Sequence, residues 1–158
     1  MMNTTFEKYM IPKEDLDSIL QSSNYYEISY ATLSNENLLY EIATQKGITI
    51  DKKMIQEWRL YENEEKDLTQ NVFFEFFLSD LPKNSSVLLF TDEGLLKKVA
   101  FQFEVNEFVS FSDMYEEYFG MEFFQFSYYC ILSFHKNICR FIDEAGSIHE
   151  VELSKFTR

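Results

Sequence analysis

The chain is poor in glycine, proline and cysteine, with four, two and two among 158 residues. The glycines stand alone at Gly47, Gly94, Gly120 and Gly146. Isolated glycines cannot build a G-x-G-x-x-G or Walker loop, which excludes the standard phosphate cradles. No Pro-, Gly- or Ser-rich linker, repeat or low-complexity tract divides the chain, and its length matches one globular domain, 1–158. Cys130 and Cys139 show no C-x-x-C or Cys/His ligand spacing and read as reduced thiols packed as small hydrophobes. The opening MMNTTFEKYM lacks the apolar core of a secretory signal. The longest charge-free aromatic stretch, Phe123 to Phe134, is too short to cross a bilayer. The expected location is the cytoplasm.

Catalytic signatures are missing as well. There is no G-x-S-x-G elbow, no H-E-x-x-H and no EF-hand loop. His135 and His149, the two histidines, lie outside any ligand pattern and suit surface or structural roles. Glu116 and Glu117 are the obvious carboxylate pair for a hydrolase, but on a helix they point about 100° apart and do not naturally flank one bond. The expectation is a protein that is not an enzyme and holds no cofactor or metal.

Bases are scarce: 14 Lys and Arg face 27 acids, a net charge of −13. Such a surface repels phosphate backbones and anionic leaflets, which argues against direct nucleic-acid or membrane binding. What the chain does have is aromatic bulk, with 17 Phe and 10 Tyr in a composition that is 46% apolar and 26% charged. A chain of this length buries about two-thirds of its unfolded surface and needs neither disulfide nor metal to fold.

The first half reads helical. Pro12 suits the first turn of a helix with Leu16, Ile19 and Leu20 inward. The stretch from Tyr25 to Thr32 suits a strand or an extended connection. Ser34 is a candidate N-cap for a helix burying Leu38, Leu39, Ile42 and Ala43 and ending at Lys46-Gly47. Asp51 suits an N-cap, with Ile50 and Ile55 at staple spacing and Trp58 continuing that face. A helix from about Asp67 to Ser79 would turn Val72, Phe73, Phe76 and Phe77 inward and stop before Pro82.

The second half switches to a period of two. Val87–Phe90, a turn at Thr91–Gly94 and Leu95–Val105 predict a hairpin, with Val99, Phe101, Phe103 and Val105 on one face. Ser110 and Asp113 have capping-box spacing for a short helix carrying Met114, Tyr118 and Phe119 and ending at Gly120. Strands follow at 123–134, 138–142 and 147–153. A two-residue turn at Lys136-Asn137 would set Phe134 opposite Cys139 and Leu132 opposite Phe141, with Tyr128 and Cys130 on the same face. The other face would carry Ser133, His135 and Arg140 among Ile131, Ile138 and Ile142. The fold class is therefore α+β, with N-terminal helices on one face of a C-terminal antiparallel sheet of about five strands.

The negative charge is concentrated. No base stands between Lys13 and Lys46, where Glu14, Asp15, Asp17, Glu27, Glu36 and Glu41 fall. None stands between Lys98 and Lys136, which bracket Glu104, Glu107, Asp113, Glu116, Glu117 and Glu122. A third run, Glu62, Glu64, Glu65 and Asp67, is diluted by Lys66 at a helix connection. The second window also holds thirteen aromatics, from Phe101 to Phe134. Core rings beneath a solvated acidic face would give this pattern. So would an interface, in which aromatics supply anchors and carboxylates pair with a basic partner, and the missing compensating bases favour it.

A small, acidic chain without catalytic motifs, with the hairpins VLLFTDEGLLKKVAFQF and ICRFIDEAGSIHEVEL, resembles the immunity proteins of bacterial toxin systems. The resemblance implies an inhibitor that binds a basic toxin domain and blocks its active site or substrate groove. Those proteins share no motif, so the residues come from the charge pattern alone. Glu104, Glu107, Asp113, Glu116 and Glu117 are expected to pair with the partner's bases, with Tyr115 or Tyr118 as a nearby anchor. Two other readings remain: a nucleic-acid mimic or adaptor acting on a basic DNA- or RNA-binding protein, and a hydrolase built from dispersed carboxylates.

Overall fold

A computed structural model describes residues 4–22, 29–51, 73–121, 123, 128–142 and 148–156. Its centre is an antiparallel sheet of seven strands in the order β1-β4-β3-β5-β6-β7-β2. The strands are β1 (Met10–Pro12), β2 (Ile48–Asp51), β3 (Ser86–Thr91), β4 (Val99–Glu104), β5 (Tyr129–Ser133), β6 (Ile138–Ile142) and β7 (Ile148–Glu152). The helices are α1 (Thr4–Glu7), α2 (Lys13–Ser22), α3 (Tyr30–Leu33), α4 (Glu36–Lys46), α5 (Asp92–Lys97) and α6 (Phe108–Phe119), and 73–77 is also helical. The class is α+β, with most helices before the main run of strands.

The five strands from β3 to β7 fall where the alternating pattern places them. Two further strands come from the helical half and close the sheet at its edges. Met10 pairs with Phe101 and Pro12 with Val99, while Ile48 pairs with Glu150. At three and four residues these segments are too short to show a period of two, and only pairing makes them strands. Pro12 ends β1 at an edge, where its missing N–H leaves no ladder bond unmade. Asp51 closes β2, and Ile55, Trp58, Val72 and the run from Glu62 to Asp67 lie outside the described residues.

Pairing also fixes which side chains share a face. One row across the sheet reads Met10, Phe101, Leu89, Ile131, Arg140, Glu150 and Ile48. The neighbouring row on the opposite face includes Phe90, Cys130, Phe141 and His149. All residues of β5 and β6 are buried, so the central sheet needs cover on both sides. The N-terminal helices α2, α3 and α4 supply one cover, placing Leu16, Leu20, Tyr30, Leu33, Leu39 and Ala43 against Leu88, Phe90, Cys130 and Phe141. The other cover is made by α1, 73–77 and α6, with Phe6, Phe73, Phe77, Phe108, Phe111 and Tyr115 against Leu89, Phe101, Phe103 and Ile131. The single covered face expected from sequence is therefore one of two. Ile131 and Ile142, among the residues assigned to a mixed face, belong to the second core.

Local details differ in instructive ways. The connection from β3 to β4 is a helical turn, α5, capped by the Thr91 hydroxyl, which accepts from Gly94 N–H at 3.1 Å. Asn35 caps α4 in place of Ser34, accepting from Leu38 N–H at 3.0 Å, and Gly47 ends that helix as expected. Within α2, Ile19 points partly to solvent while Leu16 and Leu20 are buried. Between β5 and β6 the turn spans 134–137, so Leu132 faces Cys139 and Cys130 faces Phe141. That is a slip of two residues from the expected register, and an even slip keeps every side chain on its face.

Candidate protein-binding face

The described part of the acidic, aromatic window folds into β4, α6 and β5, and helical geometry sorts its residues. The chain leaves β4 at Glu104 and turns through Val105–Glu107. The Glu107 carboxylate accepts from the Glu104 N–H at 3.0 Å and from the Tyr9 hydroxyl at 3.4 Å. This contact starts the helix about one turn before the Ser110/Asp113 spacing would, and both of those residues are exposed on the helix. At its other end Gly120 takes a left-handed φ of 68° and donates to the Glu116 carbonyl, as the sequence suggests.

The inward stripe of α6 is Phe108, Phe111, Ser112 and Tyr115. Phe111 stacks on Phe103 at 4.3 Å, and Tyr115 sits edge-on to Phe123 at 5.0 Å. Tyr115 has no exposed surface, so it is not an anchor for a partner. Its hydroxyl lies 2.5 Å from the Glu93 carboxylate, to which it donates, and 2.9 Å from the Thr91 hydroxyl. Burial, with the adjacent Glu93 charge adding to it, holds this phenol protonated far above its ordinary range. The spacing Phe111-Tyr115-Phe119 already places Tyr115 among core rings.

Tyr118 is half-buried. Its ring lies 4.9 Å from Phe6 and carries Lys97 Nζ at 5.5 Å from its centre. Lys97 stands just outside the base-free window in sequence, and the α5 turn brings it back against α6. Glu116 is also committed locally, its carboxylate accepting from Phe123 N–H at 2.9 Å. The exposed face of α6 is therefore Val109, Ser110, Asp113 and Glu117, with Met121 exposed just beyond the helix. Val109, Asp113 and Glu117 are four residues apart and form one ridge along the helix. Glu104 is exposed at the end of β4. Of the seven residues expected to bind a partner, Glu104, Asp113 and Glu117 present exposed surface. Glu107, Glu116 and Tyr118 are half-buried, and Tyr115 belongs to the core.

The fold also fixes the places of Arg140, His149 and His135. Arg140 is buried on β6, and its guanidinium reaches Asp80 through two bonds of 2.6 Å, Glu150 at 2.8 Å and the Phe77 carbonyl at 3.1 Å. Lys136 adds a bond of 2.7 Å to Asp80. Arg140, then burial in opposition, then Lys136 set the Asp80 carboxyl, with the net effect well below the ordinary carboxylate range. The cluster ties the segment after the 73–77 helix to β6 and β7. His149 is buried between the rings of Tyr40 and Phe141, at 5.5 and 5.3 Å, and His135 is exposed in the turn before β6. Among the described residues, no three His, Cys, Asp or Glu are grouped as a metal site, and no helix is long and apolar enough to cross a membrane. Comparison with protein families, with curated proteins and with solved structures returns no match for this chain.

Proposed function

We propose that the chain is an acidic protein-binding inhibitor that docks the outward face of α6 on a basic partner. An immunity protein that neutralises a cognate bacterial toxin, by covering its active site or substrate groove, fits this reading best. The carrying observation is the exposed ridge of Val109, Asp113 and Glu117 in a segment that holds no Lys or Arg from 99 to 135. Carboxylates placed this way compete with phosphate for a toxin's bases and speed association, while Val109 and Met121 offer apolar area at either end.

Asp113→Lys combined with Glu117→Lys tests the face without disturbing the core. Binding to the partner is expected to weaken by at least about tenfold, with most of the salt dependence lost. The thermal midpoint should stay near that of the wild type, because both side chains are exposed. The partner is found by capture from the source cell's lysate at low salt, followed by salt elution and mass spectrometry. One stoichiometric basic protein, toxic when expressed alone, supports the inhibitor reading. Release of many basic proteins together at moderate salt points to a nucleic-acid mimic. An empty column with folded bait overturns partner binding and directs the search to hydrolase activity.

A further inference from the structure

The chain's two cysteines, 130 and 139, meet in the fold. Cys130 lies on β5 opposite Phe141, and Cys139 lies on β6 opposite Leu132, so the thiols are diagonal neighbours on the α2–α4 face of the sheet. Their sulfurs are 3.4 Å apart, and both residues are free thiols with no exposed surface. A disulfide needs an S–S separation of about 2.05 Å. Closure shortens the gap by about 1.4 Å, between strands already held side by side by the β5–β6 ladder.

We propose that Cys130 and Cys139 form a latent cross-strand disulfide site, closed by two-electron oxidation with a disulfide such as oxidised glutathione. One cysteine thiolate attacks a sulfur of oxidised glutathione, forms a mixed disulfide and expels one glutathione thiolate. The second cysteine thiolate attacks the protein sulfur of that mixed disulfide and expels the other. The protein pair is oxidised, the two glutathiones are reduced, and the two thiol protons pass to them through solvent. The neighbouring Cys130 thiol and burial hold Cys139 protonated, so the native chain reacts only as fast as the cover over β5 and β6 opens. Closure pins β5 to β6 and limits the unfolded chain, which raises stability. Oxidation therefore hardens the central hairpin without changing its register.

Refolding from urea in a buffer of oxidised and reduced glutathione tests the site while removing access as an obstacle. The expected product is a monomer about 2 Da lighter than the reduced chain, with both thiols closed to alkylation. It should carry no glutathione and show the native circular dichroism. Its thermal midpoint should lie several degrees above that of the reduced chain and return on adding dithiothreitol. Because no other cysteine exists, loss of both thiols in a monomer identifies this pair. Cys139→Ser should instead stop at the mixed disulfide with glutathione. Persistence of free thiols or of glutathione adducts in the wild type would overturn the proposal, as would a closed product that melts below the reduced chain.

Discussion

A buried arginine with three anchoring groups shows how one residue can settle a local arrangement. Arg140 stands in the middle of a strand whose neighbours are apolar, and its charge is tolerated because Asp80, Glu150 and the Phe77 carbonyl take up its donors. Asp80 titrates below its unfolded value, so its contribution is fully present above about pH 4 and is lost as the pH falls towards the folded value. Urea unfolding at about pH 5 and about pH 3 should show a larger loss of stability for the wild type than for Asp80→Asn. The difference will be modest, since the Asp80 side chain is 43% exposed and solvent screens the pair. Tyr115 offers a second test. Tyr115→Phe removes the hydroxyl between Thr91 and Glu93 and should lower stability by about 1–3 kcal/mol in urea melts, with partner affinity unchanged. The sequence cannot show these partners, because Asp80 and Arg140 are 60 positions apart and Tyr115 lies 22 and 24 positions from Glu93 and Thr91.

At the scale of elements, the C-terminal ends of helices were legible, but their inward stripes only in part. Leu16, Leu20, Leu39 and Ala43 are buried as expected, whereas Ile19 and Leu38 are exposed and α6 turns Phe108, Phe111 and Tyr115 inward in place of Met114, Tyr118 and Phe119. Gly47 ends α4 and Gly120 ends α6, as their positions after apolar, helically spaced runs suggest. Helix starts were less legible, because a side-chain oxygen with capping geometry was available at more than one site. Asn35 served where Ser34 was expected. Glu107 turned the chain into α6 ahead of Ser110, with the Tyr9 hydroxyl holding it from a distant segment. Two glycines separate conformational strain from steric contact. Gly120 has positive φ and open space around an added Cβ, so Gly120→Ala should cost about 1 kcal/mol through backbone conformation alone. At Gly94 an added Cβ would lie 2.8 Å from the Phe101 ring and 3.0 Å from the Val99 carbonyl oxygen. Gly94→Ala should therefore cost more, about 1–3 kcal/mol, by forcing α5 away from β4. Paired urea midpoints check both values.

For the molecule as a whole, the decisive feature is a sheet covered on both faces. The second cover depends on the chain's first described segment. Phe6 of α1 lies within 6.0 Å, ring centre to ring centre, of Tyr9, Phe101, Phe111, Tyr115, Tyr118 and Phe119. Phe6→Ala should cost about 3–5 kcal/mol, because α6 and β4 cannot both close on the cavity it leaves. Near- and far-ultraviolet circular dichroism should then report one shared transition at lower urea. The same arrangement divides the acidic window. Rings fill the core under α6, and only Asp113, Glu117 and Glu104 among the expected site residues keep exposed carboxylates.

Several properties followed from the sequence alone because they depend on composition or on neighbours a few positions apart. These are the α+β class, the antiparallel run from β3 to β7, the glycine helix stops and the concentration of acids between Lys98 and Lys136. Other properties depended on residues far apart in the chain. The edge strands β1 and β2, the two-sided core, the Arg140 cluster and the approach of Cys130 to Cys139 are of this kind. Tertiary structure decided them because strand pairing and burial depend on which segments come together, whereas local periodicity sets only which side of an element a residue faces. Tyr115 shows the boundary: its place on α6 was readable, but the Thr91 and Glu93 groups that complete its surroundings arrive through the fold.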